Sequence, residues 1–382
     1  MALDFELPEE LEEFRRSVRS FAEREVAPVV EDAEAKQRTP VDLFAKAGRA
    51  GFLGLRYPAE VGGAGAGMIA EMILRLELSR VCAGIASALS VSSHLGSYPI
   101  FAFGSEEQID RWLKPILSGE KITCFGLTEP AAGSDVRGIE ATARKSDRGW
   151  VLSGRKIFIT NGPICDLSII VAYVDKEAGI EGMALFVVEQ GTPGFDSSRR
   201  LEKMGHYSSE IGEIVLDDVE VPAENLLGPE RGGFKRVMET LNGGRIVVAG
   251  GSIGVAEAAF DAGRRYVEER EAFGRKIGDF QAVQHKLADM AVDIQAAKHM
   301  TAWAASLYDQ GRNPTWEASM AKLYASEMVM RVTDLSLRLF GGYGYIKEFP
   351  IERYYRDARM FNIVEGVSDV HRNVIARALR HT

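Results

Sequence analysis

The sequence predicts a mainly α-helical protein with a central antiparallel β domain. Three observations carry this expectation. Residues 1–118 and 231–382 hold apolar residues at helical spacing with paired charges between them. Residues 119–230 hold short β-branched runs broken by Gly, Asn, Asp and Pro. The order α, then β, then α lacks the strand–helix alternation of a Rossmann sheet. We therefore expect three domains, at 1–118, 119–230 and 231–382, in a 382-residue chain long enough to bury a large core.

The elements follow in order. Leu7, Leu11, Phe14, Val18 and Phe21 step by four and three and form one apolar stripe, with Pro8, Glu9 and Glu10 suited to a first turn. A second helix is expected over 41–51 and a long helix of small residues over 69–91. The intervening VGGAGAG (61–67) looks like a phosphate cradle but lacks the Gly-Lys-Ser/Thr of a P-loop, so it reads as a connector. Strands are expected in WVLSGRKIFITN, LSIIVAYV, MALFVVEQ and IGEIVLDDVEVP. Helical patterns return at 233–270, 280–310, 315–340 and 368–380, four segments that read as a four-helix bundle. Ser368 is placed to cap the last of them.

Composition narrows the function. A formal net charge of −9 argues against a nucleic-acid partner. Cys82, Cys124 and Cys165 are far apart, and the six histidines show no ligand spacing, so no metal is expected and the histidines read as surface or satisfied core residues. The acidic start, MALDFELPEELEEF, is neither a secretory signal nor an Arg-rich transit peptide. No apolar run approaches the ~20 residues of a membrane helix, and a cytoplasmic location without membrane attachment is the expectation.

Several stretches offer chemistry as well as packing. TEPAAGSD (128–135) gathers hydroxyls and small residues whose amides a ligand can approach closely. In KIFITNG (156–162) strand alternation places Lys156, Phe158 and Thr160 on one face, where an aromatic and a hydroxyl could flank a planar ring or simply pack. REAFG (270–274) and LFGGYGY (339–345) each end a helix, with a glycine cap as the local reading. Gly243 and Gly244, just before Arg245, weaken helix propensity and suggest close approach by a backbone or ligand, with helix packing the alternative. FNIVEGVSDVHR (361–372) sets Glu365 beside a glycine at a helix boundary.

Together these stretches resemble the acyl-CoA dehydrogenase family along nearly the whole chain. The carrying motifs, in order, are CFGLTEPAAGSD (124–135), GRKIFITNG (154–162), LDDVEVPAENLLG (216–228), RIVVAGGSIGVAEAA (245–259), EEREAFGRKIGDFQAVQHKLADM (268–290), LFGGYGY and IVEGVSDVHRNVIARAL. The resemblance implies a helical N-terminal domain, a β middle domain and a C-terminal four-helix bundle, assembled as a homotetramer with FAD near a subunit interface. It implies α,β-dehydrogenation of an acyl-CoA, or an acyl group on a carrier protein, with electrons passed to an electron-transfer flavoprotein or to oxygen; a non-catalytic acyl-CoA- or flavin-binding scaffold is the remaining alternative.

Residue by residue, the resemblance implies that Phe125, Leu127, Thr128, Gly133 and Ser134 contact FAD, with Phe158 and Thr160 beside its ring system. Ser134 would also touch the CoA portion. Arg270, Phe273 and Gln281 would reach the FAD of a neighbouring subunit, and Gly341 and Gly342 its pyrophosphate. Asn242, Arg245 and Gly366 fall to the substrate site. Glu365 matches the base that takes the α-proton while a hydride leaves Cβ for flavin N5; its backbone N–H and a flavin hydroxyl would polarise the thioester carbonyl. Some members carry the base on the helix before the Arg, a position that here is Gly244. The pattern departs at Val367 and Ala272, where Thr is usual, and at Arg338 and Asp369, where Gln is frequent. Val367, Arg338 and Asp369 fall among the FAD-contacting positions. Arg338 would serve a phosphate, pair with Asp369, or sit in a surface ion pair.

Overall fold

The computed structural model describes residues 7–380. Helix α1 (Glu9–Phe21) starts behind Pro8 with Glu9, Glu10 and Glu12 in its first turn, where acids meet the positive end of the helix dipole. A π-type turn over Ala22–Val26 leads into α2 (Ala27–Lys36), which ends at left-handed Gln37. Val18 and Phe21 of the expected stripe are buried, and Leu11 and Phe14 pack against them. Helix α3 (Asp42–Arg49) follows. The VGGAGAG connector spends its central amides internally, because the N–H groups of Gly63, Ala64, Gly65 and Ala66 donate to the carbonyls of Pro58, Gly54, Tyr57 and Leu55.

The helix expected over 69–91 is two, α4 (Gly67–Val81) and α5 (Ala83–Ser90), separated by Cys82 in an extended conformation (φ −155°, ψ 110°). The break lets Gly84 approach the 206–208 loop so closely that a Cβ there would stand 2.3 Å from Ser208 Oγ. Short helices α6 (Tyr98–Phe103), α7 (Glu106–Gln108) and α8 (Lys114–Leu117) complete this part, α7 beginning in a capping box between Ser105 and Gln108.

The middle segment forms strands β1 (Thr123–Gly126), β2 (Thr142–Ser146), β3 (Gly149–Thr160), β4 (Leu167–Tyr173), β5 (Met183–Glu189), β6 (Phe195–Asp196), β7 (Ile211–Pro222) and β8 (Leu226–Leu227). Their order is β6-β7-β3-β2-β4-β5-β8, with β1 also on β4. The sheet is mixed rather than antiparallel throughout, since β1 runs parallel to β4 and β2 meets Tyr173 of β4 in parallel. Fully buried β4 reads as a continuous apolar run, as strands covered on both faces do.

The expected alternation in KIFITNG fails for a visible reason. A register shift between Lys156 and Ile159 and a left-handed Phe158 (φ 60°) bulge the strand. Lys156 therefore turns inward, fully buried, while Phe158 stands 62% exposed.

Beyond the sheet come α9 (Gly233–Glu269), a small hairpin of β9 (Glu271–Ala272) and β10 (Arg275–Lys276), then α10 (Gln281–Asp309), α11 (Thr315–Phe340), α12 (Ile351–Phe361) and α13 (Ser368–Ala378). Against expectation, α9 is long and apolar enough to cross a membrane, but it is mostly buried as the central helix of the bundle. Met72 and Leu76 of α4, Ile246, Ile253 and Ala256 of α9, and Ala321, Ala325 and Met328 of α11 share one core. Each buried Ile, Leu or Met contributes roughly 1.5–3 kcal/mol. Gly250 and Gly254 let α4 lie tight on α9, since a Cβ on Gly254 would meet Leu76 O at 2.2 Å. Helix α12 went unpredicted because IERYYRDARMF is dominated by charge, and only Ile351, Ala358 and Phe361 anchor it with buried Asp357. Ser368 does not cap α13: Val367 occupies the N-cap, with no side-chain hydrogen bond.

Candidate active site

Glu365 lies in the turn between α12 and α13 with φ +52°, and Gly366 follows with φ +102°. Two successive left-handed residues reverse the chain and aim the carboxylate back at α9. Non-glycine residues seldom adopt such a conformation, and strain of this kind concentrates at functional sites. The carboxylate settles over Gly244, where a Cβ would stand 1.9 Å from Glu365 Oε2. Glu365 keeps some exposed surface, yet its Oε2 is buried and has no hydrogen-bond partner. Burial pushes its carboxyl up to about 7, against the pull of Arg245, Lys322 and Arg75.

Those cations come from three helices. Arg245 on α9 is 4% exposed; its Nη1 donates to Asn242 Oδ1 at 2.8 Å, and Asn242 Nδ2 donates to Asn313 Oδ1 at 2.9 Å. Lys322 on α11 is fully buried and donates from Nζ to Gly366 O at 2.6 Å, fastening the turn that carries Glu365. Burial holds the Lys322 ammonium down to about 8, with Glu365 opposing the shift. His371 on α13 closes the far side of Gly366. It is buried beside the backbone of Glu365 and Gly366, with no well-formed hydrogen bond at either ring nitrogen, and burial keeps it neutral, down to about 3, with Lys322 and Arg245 pushing the same way.

The other expected site residues fall into further groups. Phe125 and Leu127 are buried at and just after β1, and Thr128 O accepts the Ile157 N–H at 2.9 Å, which ties TEPAAGSD to the bulged strand with Phe158 and Thr160. Gly133 and Ser134 are exposed in that loop. Underneath, Lys156 Nζ meets Glu129 Oε1 at 2.6 Å, and the same carboxylate accepts the backbone N–H groups of Glu140 and Ala141. A second group lines a cavity of about 460 Å³ at the end of α11, formed by Arg270, Arg338, Gly341, Gly342, Tyr266 and Tyr343 with their neighbours. Phe273 and Gln281 are exposed on and just after the hairpin, Phe273 by 95%.

Of the alternatives for Arg338, the helix-surface ion pair forms and the pair with Asp369 does not. Arg338 faces Asp334 at 3.6 Å one turn earlier on its own helix, and Asp369 pairs with Arg372 at 3.1 Å. Gly341 ends α11 with φ +60°, and Cβ atoms built on Gly341 and Gly342 meet nothing within 4 Å. Two guanidiniums beside bare glycine backbone suit the phosphates of FAD, so the residues present fit the group.

Lys322 and Arg75 went unmarked in the sequence, as did the pairing of Lys156 with Glu129. The signal available was a charge inside an otherwise small or apolar helical run, as in MAKLYASEM and MILRLEL.

Comparison with known proteins identifies the family. Models of the acyl-CoA dehydrogenase N-terminal, middle and C-terminal domains match residues 8–120, 124–219 and 231–380. The caffeyl-CoA reductase-Etf complex subunit CarC of Acetobacterium woodii is 42% identical over 367 residues, 96% of this chain and 97% of the relative. A short-chain specific acyl-CoA dehydrogenase of Clostridium acetobutylicum is 40% identical over 98% of this chain and 99% of its own. The structure of butyryl-CoA dehydrogenase from Megasphaera elsdenii superposes with a TM-score of 0.96 at 39% identity, covering 99% of this chain and 100% of that one. The chain belongs to the acyl-CoA dehydrogenase family.

Proposed function

We propose that the protein oxidises the Cα–Cβ bond of a saturated acyl-CoA to the trans-2-enoyl-CoA, with Glu365 as the base. The observation that carries this reading is the Glu365 carboxylate, unpartnered at Oε2, held over Gly244 and raised to about 7. A base poised near neutrality matches both demands of proton transfer, being ionised in use yet basic enough to take an α-proton.

Glu365 accepts the α-proton as the Cα–H bond breaks, and its backbone N–H donates to the thioester carbonyl, where negative charge develops. Bound FAD supplies the acceptor for the hydride that leaves Cβ, so that the electron pair of the Cα–H bond becomes the new double bond. Lys322 holds Gly366, and with it the Glu365 turn, while Asn242 orients Arg245 at the substrate site. Phe125, Leu127, Thr128, Gly133, Ser134, Phe158 and Thr160 would hold the flavin end of FAD, with Val367 and Asp369 among its contacts. Across a subunit contact, Arg270, Phe273 and Gln281 would reach the FAD of a neighbouring subunit, with Arg338, Gly341 and Gly342 at its pyrophosphate.

The same reading makes the protein a cytoplasmic homotetramer served by an electron-transfer flavoprotein. Support comes from the Etf complex of the Acetobacterium woodii relative and from Phe273, an aromatic left 95% exposed for a partner to cover. Anaerobic titration of the yellow holoenzyme with a panel of acyl-CoA thioesters tests the proposal. Bleaching by a member of the panel is expected, and Glu365→Gln should keep its flavin and lose the bleaching. Absence of bleaching across the panel, or full activity in Glu365→Gln, would sink it.

A further inference from the structure

Arg75 is a charge that the reaction itself does not require. It lies on α4, which packs against α1, α5, α9 and α10, and is 4% exposed. Its Nη2 donates to Ser87 Oγ at 2.7 Å, and Ser87 in turn faces His206 Nδ1 at 3.2 Å. Its Nε and Nη1 have no partner, and it makes no ion pair among the described residues. The acid one turn earlier, Glu71, instead accepts at Oε1 the Ser93 hydroxyl proton, with Oγ at 2.8 Å. A buried guanidinium with unmet donors is costly, and the acceptor of matching charge and shape is a carboxylate.

Arg75 also faces the reaction centre. A Cβ on Gly251 of α9 would stand 2.8 Å from Arg75 Nε, as one on Gly244 would stand 1.9 Å from Glu365 Oε2. Gly244 and Gly251 are two turns apart on the same face of α9, roughly 10.5 Å along its axis. The two charges feel each other, for Glu365 is the largest influence opposing the burial that lowers Arg75 to about 10.

We propose that Arg75 is a specificity-determining residue and that the substrate is the CoA monothioester of a dicarboxylic acid, its far carboxylate received by Arg75 while Glu365 faces the α-carbon. The inference rests on Glu365 being the α-proton base. Allowing roughly 3 Å of contact at each end, about 4–5 Å remains for the chain, or roughly three to five carbon–carbon bonds from the α-carbon to the far carboxylate. That span corresponds to about five to seven carbons, with the polar end buried between α4, α5 and α9. An apolar chain of the same length would leave the guanidinium unmet.

The test pairs thioesters of equal length on the holoenzyme: adipyl-CoA against hexanoyl-CoA, and glutaryl-CoA against valeryl-CoA. The wild-type kcat/KM should favour the dicarboxylic member by roughly 10- to 100-fold, the range for a charge-assisted hydrogen bond. Arg75→Met should reverse that preference and retain turnover of hexanoyl-CoA. Calorimetric titration of Glu365→Gln, which binds without turnover, should give a lower Kd for adipyl-CoA than for hexanoyl-CoA. Equal or better use of the monocarboxylic thioesters by the wild type overturns the inference and leaves the dehydrogenase reading standing. So does an unchanged preference in Arg75→Met, which would make Arg75 a packing residue watered by the void of about 10 Å³ beside it, Glu71 and Ser93. Failure of every thioester to bleach the flavin overturns both.

Discussion

Glu365 and Gly244 share one volume: the carboxylate of the first occupies the space that a side chain on the second would need, with Oε2 1.9 Å from a Cβ built there. The two positions are 121 residues apart in sequence, yet one is shaped by the other. The helix position carries no side chain, and the carboxylate of the proposed base fills the space from the loop.

Gly244→Ala should therefore displace the Glu365 carboxylate rather than unfold α9, because alanine favours helix by about 1 kcal/mol over glycine. A shift of about 1 Å in a reacting group costs about 10²-fold in rate. Rapid-mixing measurement of flavin bleaching should show that loss with flavin content and Tm nearly unchanged. Wild-type rates in Gly244→Ala would mean that the carboxylate does not act from this position.

The pH dependence follows from the same burial. As the proposed base Glu365 would work deprotonated, and with its carboxyl raised to about 7 the value of kcat/KM should climb between about pH 6 and pH 8. Lys322 attracts the carboxylate's charge and so pulls its pKa down. Lys322→Met removes that pull and should move the climb to higher pH, with a several-fold loss at pH 7. A profile that stays in place would exclude Lys322 as an electrostatic partner of the base.

Much of the scaffold was legible before any coordinates. Leu11, Phe14, Val18 and Phe21 declare their helix because a stripe at steps of three and four has one burial solution, and α9, α10 and α11 declare themselves likewise. The parallel pairing of β1 with β4 was not legible, since side-chain alternation carries no information about strand direction. Nor was the inward turn of Lys156, which depends on a bulge at Phe158 that its own residue type does not announce. At the site, Glu365 was singled out by family resemblance and not by pattern. Lys322 and Arg75 were missed because a charge in a helix is presumed solvated until tertiary packing covers it on every side.

The Lys156–Glu129 pair carries a stability prediction. Both side chains are buried, Lys156 Nζ also donates to Leu127 O at 3.1 Å, and Glu129 braces the loop that opens with Thr128. Lys156→Met leaves the carboxylate with two backbone donors and no counter-charge, which costs about 3–5 kcal/mol. The denaturation midpoint should fall accordingly, and flavin should be lost more readily on dilution because Thr128, Gly133 and Ser134 ride on the same loop. A midpoint equal to that of the wild type would show that the two backbone N–H groups suffice to hold Glu129.

Val367 gives the opposite kind of prediction, a gain. It is the N-cap of α13, with extended dihedrals (φ −66°, ψ 158°), and its side chain offers no acceptor to the first-turn N–H groups. Its carbonyl already receives the N–H groups of Val370 and His371, so the backbone is set for a cap that the residue lacks. Val367→Thr supplies a hydroxyl with nearly the same shape, and a Thr cap contributes about 1 kcal/mol over an apolar residue. The thermal midpoint should rise, and since α13 begins next to Gly366 the stiffer turn should leave the pH profile of Glu365 where it was. A fall in stability would mean that the Val367 methyl groups pack more usefully than a cap would, and that the departure from the family's Thr is itself stabilising.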